Sequence, residues 1–254
     1  NTIKVDSGTQ VSITNDQNPA GTLVLDANDT ATDSSVTIDA STNDVGILKT
    51  LNFDTVTIST GDDARTIAAI DMDANDAAVS IVGTNDITIS LTATSGDLTV
   101  SGQLVKIDGA ITTGGDLKIT GTNDVDLNAG VTVDNDITLT ATADLDTVAL
   151  TATEGSITAT GDTVSFGGAV AAQNDIVITA TNDVDVGAVD SATSGTKGTI
   201  NITGNKVDGS ALIQSDGDIT ITGANDVTLD GLTSTAGNIT VTGTDIDNAT
   251  NKID

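Results

Sequence analysis

The 254-residue sequence has no cysteine, histidine, tryptophan or tyrosine, and a single proline, Pro19. Without cysteine there is no disulfide, no thiol nucleophile and no zinc–thiolate site. Phe53 and Phe166 are the only aromatic residues. Enzymes of this length ordinarily use aromatic rings to fill the core, because each ring buries a large apolar area. Here Ile, Val, Leu and Ala must do that work, which suits thin repeated layers better than one thick core. No run of 18 apolar residues occurs, so no helical membrane span is expected. The opening "NTIKVDSG" carries no basic-then-apolar signal, so any leader is expected upstream or already removed.

Positive charge is also scarce. Lys and Arg total 8 against 37 acidic residues, for a formal net charge of −29. Phosphate contacts need clusters of Lys and Arg, so nucleic acid is excluded as an expected partner, and anionic membranes are disfavoured. Glu154 is the only glutamate. Asp turns and caps the backbone through its short side chain, whereas Glu favours helices. The acidity therefore reads first as turn chemistry and only second as charge.

What the sequence has in abundance is repetition. The segments "GDLTVSG" (96–102), "GDLKITG" (115–121), "NDITLTA" (135–141), "GSITATG" (155–161) and "NDIVITA" (174–180) align. "GTINITG" (198–204), "GDITITG" (217–223) and "GNITVTG" (237–243) continue the series. The steps between them are 19 or 20 residues, apart from one of 24 that contains "GAVDSATSGTKG". A second alternating piece follows each, such as Val125-Asp126-Leu127, Leu145-Asp146-Thr147, Val184-Asp185-Val186 and Val227-Thr228-Leu229. A third is read at Val131-Thr132-Val133, Val148-Ala149-Leu150 and Ala211-Leu212-Ile213. Apolar–polar alternation marks half-buried strands, with Gly, Asn and Asp at the joins, and no helical stripe is visible.

Three short strands and three corners per coil of about 20 residues predict an all-β, right-handed parallel β-solenoid (β-helix). At about 3.3 Å per residue a coil measures about 65 Å around, and about 12–13 coils at about 4.8 Å make a rod about 60 Å long. Residues 77–254 are expected to form the regular part. Residues 1–76, including "NTIKV", "QVSI", "TLVL" and "SVTIDASTNDVGI", are expected to be irregular coils with longer loops.

The stretches "GDITITGANDVTLDGLTSTAGNITVTG" (217–243) and "AGNITVTGTDIDNA" (236–249) resemble the haemagglutinin-type repeats of filamentous-haemagglutinin-like secreted adhesins. The likeness covers residues 78–254 and is one of repeat style. It implies an extracellular or cell-surface β-helix that acts as a structural or adhesive rod. The N-terminal secretion domain of that family is not recognisable in this sequence.

Candidate sites follow from the repeat. Asn-Asp occurs ten times, starting at Asn15, Asn28, Asn43, Asn75, Asn85, Asn123, Asn135, Asn174, Asn182 and Asn225. Asn tolerates left-handed backbone angles and Asp accepts bonds from nearby amides, so the pair reads as a corner that launches a strand. Stacked Asn side chains can also form ladders. A cation reading rests on the second strand, whose outward positions stack Asp126 on Asp146 and Asp185 on Asp208. Carboxylates about 5 Å apart repel by about 3 kcal/mol at an effective dielectric near 20, and Ca²⁺, an oxygen-ligated ion, would relieve that. Lys106 offers an alternative by neutralising Asp126.

On the first strand the outward pairs Thr99/Ser101, Thr138/Thr140, Thr158/Thr160, Thr220/Thr222 and Thr240/Thr242 form an array interrupted by Lys118, Val177 and Asn201. It resembles the ice-binding face of solenoid antifreeze proteins, although Thr also simply favours strands. Catalysis is not expected. Polysaccharide lyases need a basic proton acceptor, and this chain has one arginine, Arg65, and no histidine. Glycosidases need paired carboxylates in a cleft, whereas the aspartates here follow the period of the corners. Asn28, Asn201, Asn238 and Asn248 begin matches to the N-glycosylation pattern.

The expected function is a non-enzymatic extracellular rod that self-associates head to tail into a filament, with a cell-surface or matrix polysaccharide as a further partner. No cofactor is required, and calcium is the one candidate ion. The alternatives are a solenoid that binds ice or carbohydrate and, last, a polysaccharide-degrading enzyme.

Overall fold

A computed structural model describes residues 2–5, 10–14, 22–27, 35–41, 44–51, 53, 55–72, 78–89, 92–94, 96–191 and 198–248. Every regular element among them is a β-strand, and neighbouring strands pair in parallel. The fold is the expected β-solenoid. Pro19 and the pairs at Asn15, Asn28 and Asn75 lie outside the described residues.

The chain divides into two compact units, 1–122 with 126–129, and 123–125 with 130–254. In the first unit, one face carries Gln10–Thr14, Ser35–Asp39, Thr55–Gly61, Ala78–Gly83, Leu98–Gly102 and Leu117–Gly121, one strand per coil. In the second unit the corresponding face carries Ile137–Ala141, Ile157–Gly161, Ile176–Ala180, Ile200–Gly204, Ile219–Gly223 and Ile239–Thr242. The nine of these strands from Ala78 onward begin 19 or 20 residues apart, except for the 24 between Ile176 and Ile200.

Coils in the first unit come in two forms. The strands Val45–Leu51 and Arg65–Met72 run without a break where later coils have two pieces. Arg65–Met72 pairs with Ile87–Ile89 through its first residues and with Thr92–Thr94 through Ile70 and Asp71. The second unit shows the reverse change. Asp183–Val186 and Val189–Ser191 both pair with the single strand Lys206–Ser215.

Alternation decides which side chains fill each coil. Leu98 and Val100 are fully buried in the first unit, as are Ile219 and Ile221 in the second. Ile137, Ile157, Ile176, Ile200 and Ile219 stack in register as one interior column. Each such side chain contributes about 1.5–3 kcal/mol by leaving water. Phe53 and Phe166 are both buried, so no aromatic ring is left on the described surface.

The third strand is as expected at Val131–Val133 and differs at Val148. Val148 and Leu212 are 41% and 45% exposed, and the strand proper is Leu150–Ala152, paired residue for residue with Val131–Val133. In the later coil, Ile213-Gln214-Ser215 takes this place and pairs with Val189-Asp190-Ser191. In the coil of Leu145 the corner resets the in–out alternation, from Leu145 and Thr147 to Leu150 and Ala152, whereas Lys206–Ser215 keeps a period of two throughout. A reading that puts Val148 and Leu150 on one side therefore misplaces Val148, whereas period two carried along Lys206–Ser215 puts Leu212 outside, where it is found.

Candidate functional site

The polar residues that set this chain apart sit at the corners, and their side chains bond along the stack. Just before the first face, Asp97 Oδ1 accepts the Asp116 amide and Asp136 Oδ1 accepts the Ser156 amide, each at 2.8 Å. Asp175 Oδ1 accepts both the amide and the hydroxyl of Thr199 at 2.8 Å, and Asp218 Oδ1 accepts the Asn238 amide at 2.7 Å. Just after that face, Asp44, Asp86 and Asp124 accept the amides of Thr66, Leu104 and Asp144. In every case the donor lies one coil later.

The asparagines point the other way. Asn182 donates to Asp162 Oδ2 at 2.9 Å, Asn225 to Asn205 Oδ1 at 2.7 Å and Asn174 to the Glu154 carbonyl at 2.9 Å. Asn85 donates to the Asp62 carbonyl. Each acceptor lies one coil earlier. Two pairs, Asn85-Asp86 and Asn174-Asp175, show both halves at once: Asn reaches back and Asp reaches forward. The corner expectation holds, but the bonds join coils about 20 residues apart rather than closing local turns.

The third corner uses buried hydroxyls that the sequence reading did not single out. Ser215 Oγ donates to the Gly198 carbonyl at 2.5 Å and accepts the Gly217 amide at 3.0 Å, while Ser191 Oγ donates to it at 2.9 Å. Thr113 makes the same pair of bonds with Gly96 and Gly115, as Ser234 does with Gly217 and Gly237. The signal in the sequence is a hydroxyl residue two or three places before glycine. Glycine is needed there because the preceding coil passes so closely. A Cβ built on Gly237 would lie 2.3 Å from the Gly217 carbonyl carbon.

The expected cation positions are only partly brought together. Asp185 and Asp208 are register partners on neighbouring strands, with Lys206 Nζ 3.9 Å from Asp208 Oδ2. Asp126 belongs to the first unit and Asp146 to the second, where Asp146 pairs in register with Ser165. Among the described residues, no three acidic side chains converge as a metal site would require. Lys106 reaches Asp108, at 3.1 Å. The Asn128 amide at 2.9 Å and then Lys106 hold the Asp108 carboxyl below its usual pKa. Two bonds from Ser41 do the same for Asp39.

No family model, curated protein or solved structure matches the chain. What the residues do must be read from the chain itself. Arg65, the only arginine, is held by the protein: Nε donates to the Ala40 carbonyl at 3.0 Å, and Nη2 to the Ser41 carbonyl and to Asp63 at 3.0 Å.

The threonine array on the first face is more regular than the sequence suggested. Lys118 stacks on Thr99 in the first unit. In the second unit, Val177 and Asn201 fall in one outward column, in line with Thr138, Thr158, Thr220 and Thr240. The other column is unbroken: Thr140, Thr160, Thr179, Thr203, Thr222 and Thr242.

Proposed function

We propose that this chain is a non-enzymatic structural part of an extracellular repeat protein, a stalk or filament subunit of the filamentous-haemagglutinin type. One observation carries the reading. The polar side chains at the corners, which in an enzyme would converge on a cleft, are engaged in bonds from coil to coil. Arg65, the one arginine that could clamp an acidic sugar, donates to backbone carbonyls of the preceding coil. Such a chain gains stiffness from its polar groups rather than chemistry.

Assembly head to tail is part of the proposal. The net charge of −29 opposes stacking of copies, so association should strengthen with salt or divalent cations, which screen it. A surface or matrix polysaccharide is the further partner of this reading.

Electron microscopy of the purified chain, with light scattering across NaCl and CaCl₂ series, tests it. Filaments or end-joined particles that grow with ionic strength are expected, together with no depolymerisation of acidic or neutral polysaccharides. Monomers under every condition, combined with release of oligosaccharides, would overturn it.

A further inference from the structure

We propose that the first face of the second unit is an ice-binding surface. The proposal is independent of the assembly reading above and rests on the geometry and charge of that face. The unbroken column from Thr140 to Thr242 repeats once per coil through five successive pairings without a register shift. Its partner column holds four threonines, Val177 and Asn201. The result is a two-dimensional lattice of hydroxyl and methyl groups. Its repeats are about 4.8 Å between strands and about 6.6 Å between alternate residues. Both spacings are close to repeats of hexagonal ice. Threonine is branched at Cβ, so its hydroxyl and methyl are held with little rotamer freedom.

Charge singles out this face. None of its outward positions is charged, although the chain as a whole is 18% charged with a net −29. The adjoining strands of the same unit turn Asp146, Asp185 and Asp208 outward instead, along a column that includes Ser165 and Thr228. A carboxylate orders its own hydration shell, which does not fit a crystalline water lattice. Hydroxyls can join such a lattice and methyls displace mobile water between them. The exclusion of charge from one face of a strongly acidic chain is what an ice surface requires.

Other occupants fit less well. Five strands of five residues and one of four offer roughly 450 Å² at these spacings, short of the roughly 800 Å² per partner that a stable protein interface buries. A sugar would look for an aromatic platform, and Phe166, the one ring of this unit, is 3% exposed. Ice needs neither a large single footprint nor a ring. It needs a flat, repeated, uncharged surface.

The test is thermal hysteresis of the whole chain, with microscopy of a single ice crystal in the same solution. A gap between melting and freezing points and faceted growth are expected. Thr160→Lys and Thr179→Lys lie at exposed positions and should abolish both effects while melting temperature and circular dichroism stay unchanged. Asp185→Lys, on the neighbouring face, should leave both effects intact. Absence of hysteresis at the highest soluble concentration would overturn the proposal. So would full activity in the two threonine variants, or equal loss in Asp185→Lys.

Discussion

Asp136 and Ser156 stand one coil apart, and the Ser156 amide donates to Asp136 Oδ1 at 2.8 Å. The same relationship joins Asp175 to Thr199 and Asp218 to Asn238. A carboxylate is thus matched by a neutral donor of the next coil. Asp136→Ala should lower stability by about 1 kcal/mol, because a charged acceptor is lost at a partly solvated site. Asp136→Asn keeps an acceptor oxygen and should cost less than half as much. Urea melts of the two variants check this, and equal losses would show that the charge, not the bond, matters.

The interior column makes a stronger demand. Ile137 is 1% exposed, stacks on Ile157 in the interior column, and has no cation on its own strand, Ile137–Ala141. Ile137→Val should cost about 1 kcal/mol as a small cavity. Ile137→Asp would bury a carboxylate without a partner and should unfold the neighbouring coils. Loss of the strand signal in circular dichroism for Asp, but not for Val, is the expected pattern.

One buried hydroxyl is a weakness. Thr147 is 5% exposed and its Oγ1 has no hydrogen-bond partner. Thr147→Val keeps the shape and removes a desolvated polar atom, so stability should rise by about 1 kcal/mol. A lower melting temperature for this variant would mean that the hydroxyl is satisfied in solution.

Acid should loosen the first unit at Asp108. Its pKa is lowered from 3.8 by the Asn128 amide first and by Lys106 second. A carboxylate with a folded pKa below its unfolded one contributes stability at pH above about 3.8, and loses it as pH falls through the folded value. Asn128→Ala should move the Asp108 titration, followed by NMR, back up toward 3.8. It should also reduce the loss of stability on acidification below that pH.

The Asp185–Asp208 neighbours give the cation reading its test. If screening alone acts there, NaCl and CaCl₂ at matched ionic strength should raise the melting temperature equally. An extra rise with Ca²⁺ that disappears in Asp208→Asn would place an ion between the two carboxylates. With Lys206 3.9 Å from Asp208, equal rises are the expected result.

By itself the sequence determined that this is a parallel solenoid and which residues of the first and second strands point inward. The pairs Leu98/Val100, Ile137/Leu139 and Ile219/Ile221 carry that information locally. A period of two fixes the side of the strand, and recurrence about every 20 residues fixes the stacking. The tertiary structure alone decided what happens across corners and between coils. The corner after Thr147 resets the alternation, so Leu150 and not Val148 begins the third strand there. That Asn174 reaches back to Glu154 while Asp175 reaches forward to Thr199, and that Thr179 and Thr203 complete an unbroken column, depend on partners one coil away. Local propensity cannot encode these contacts, because their geometry exists only once the coils are stacked.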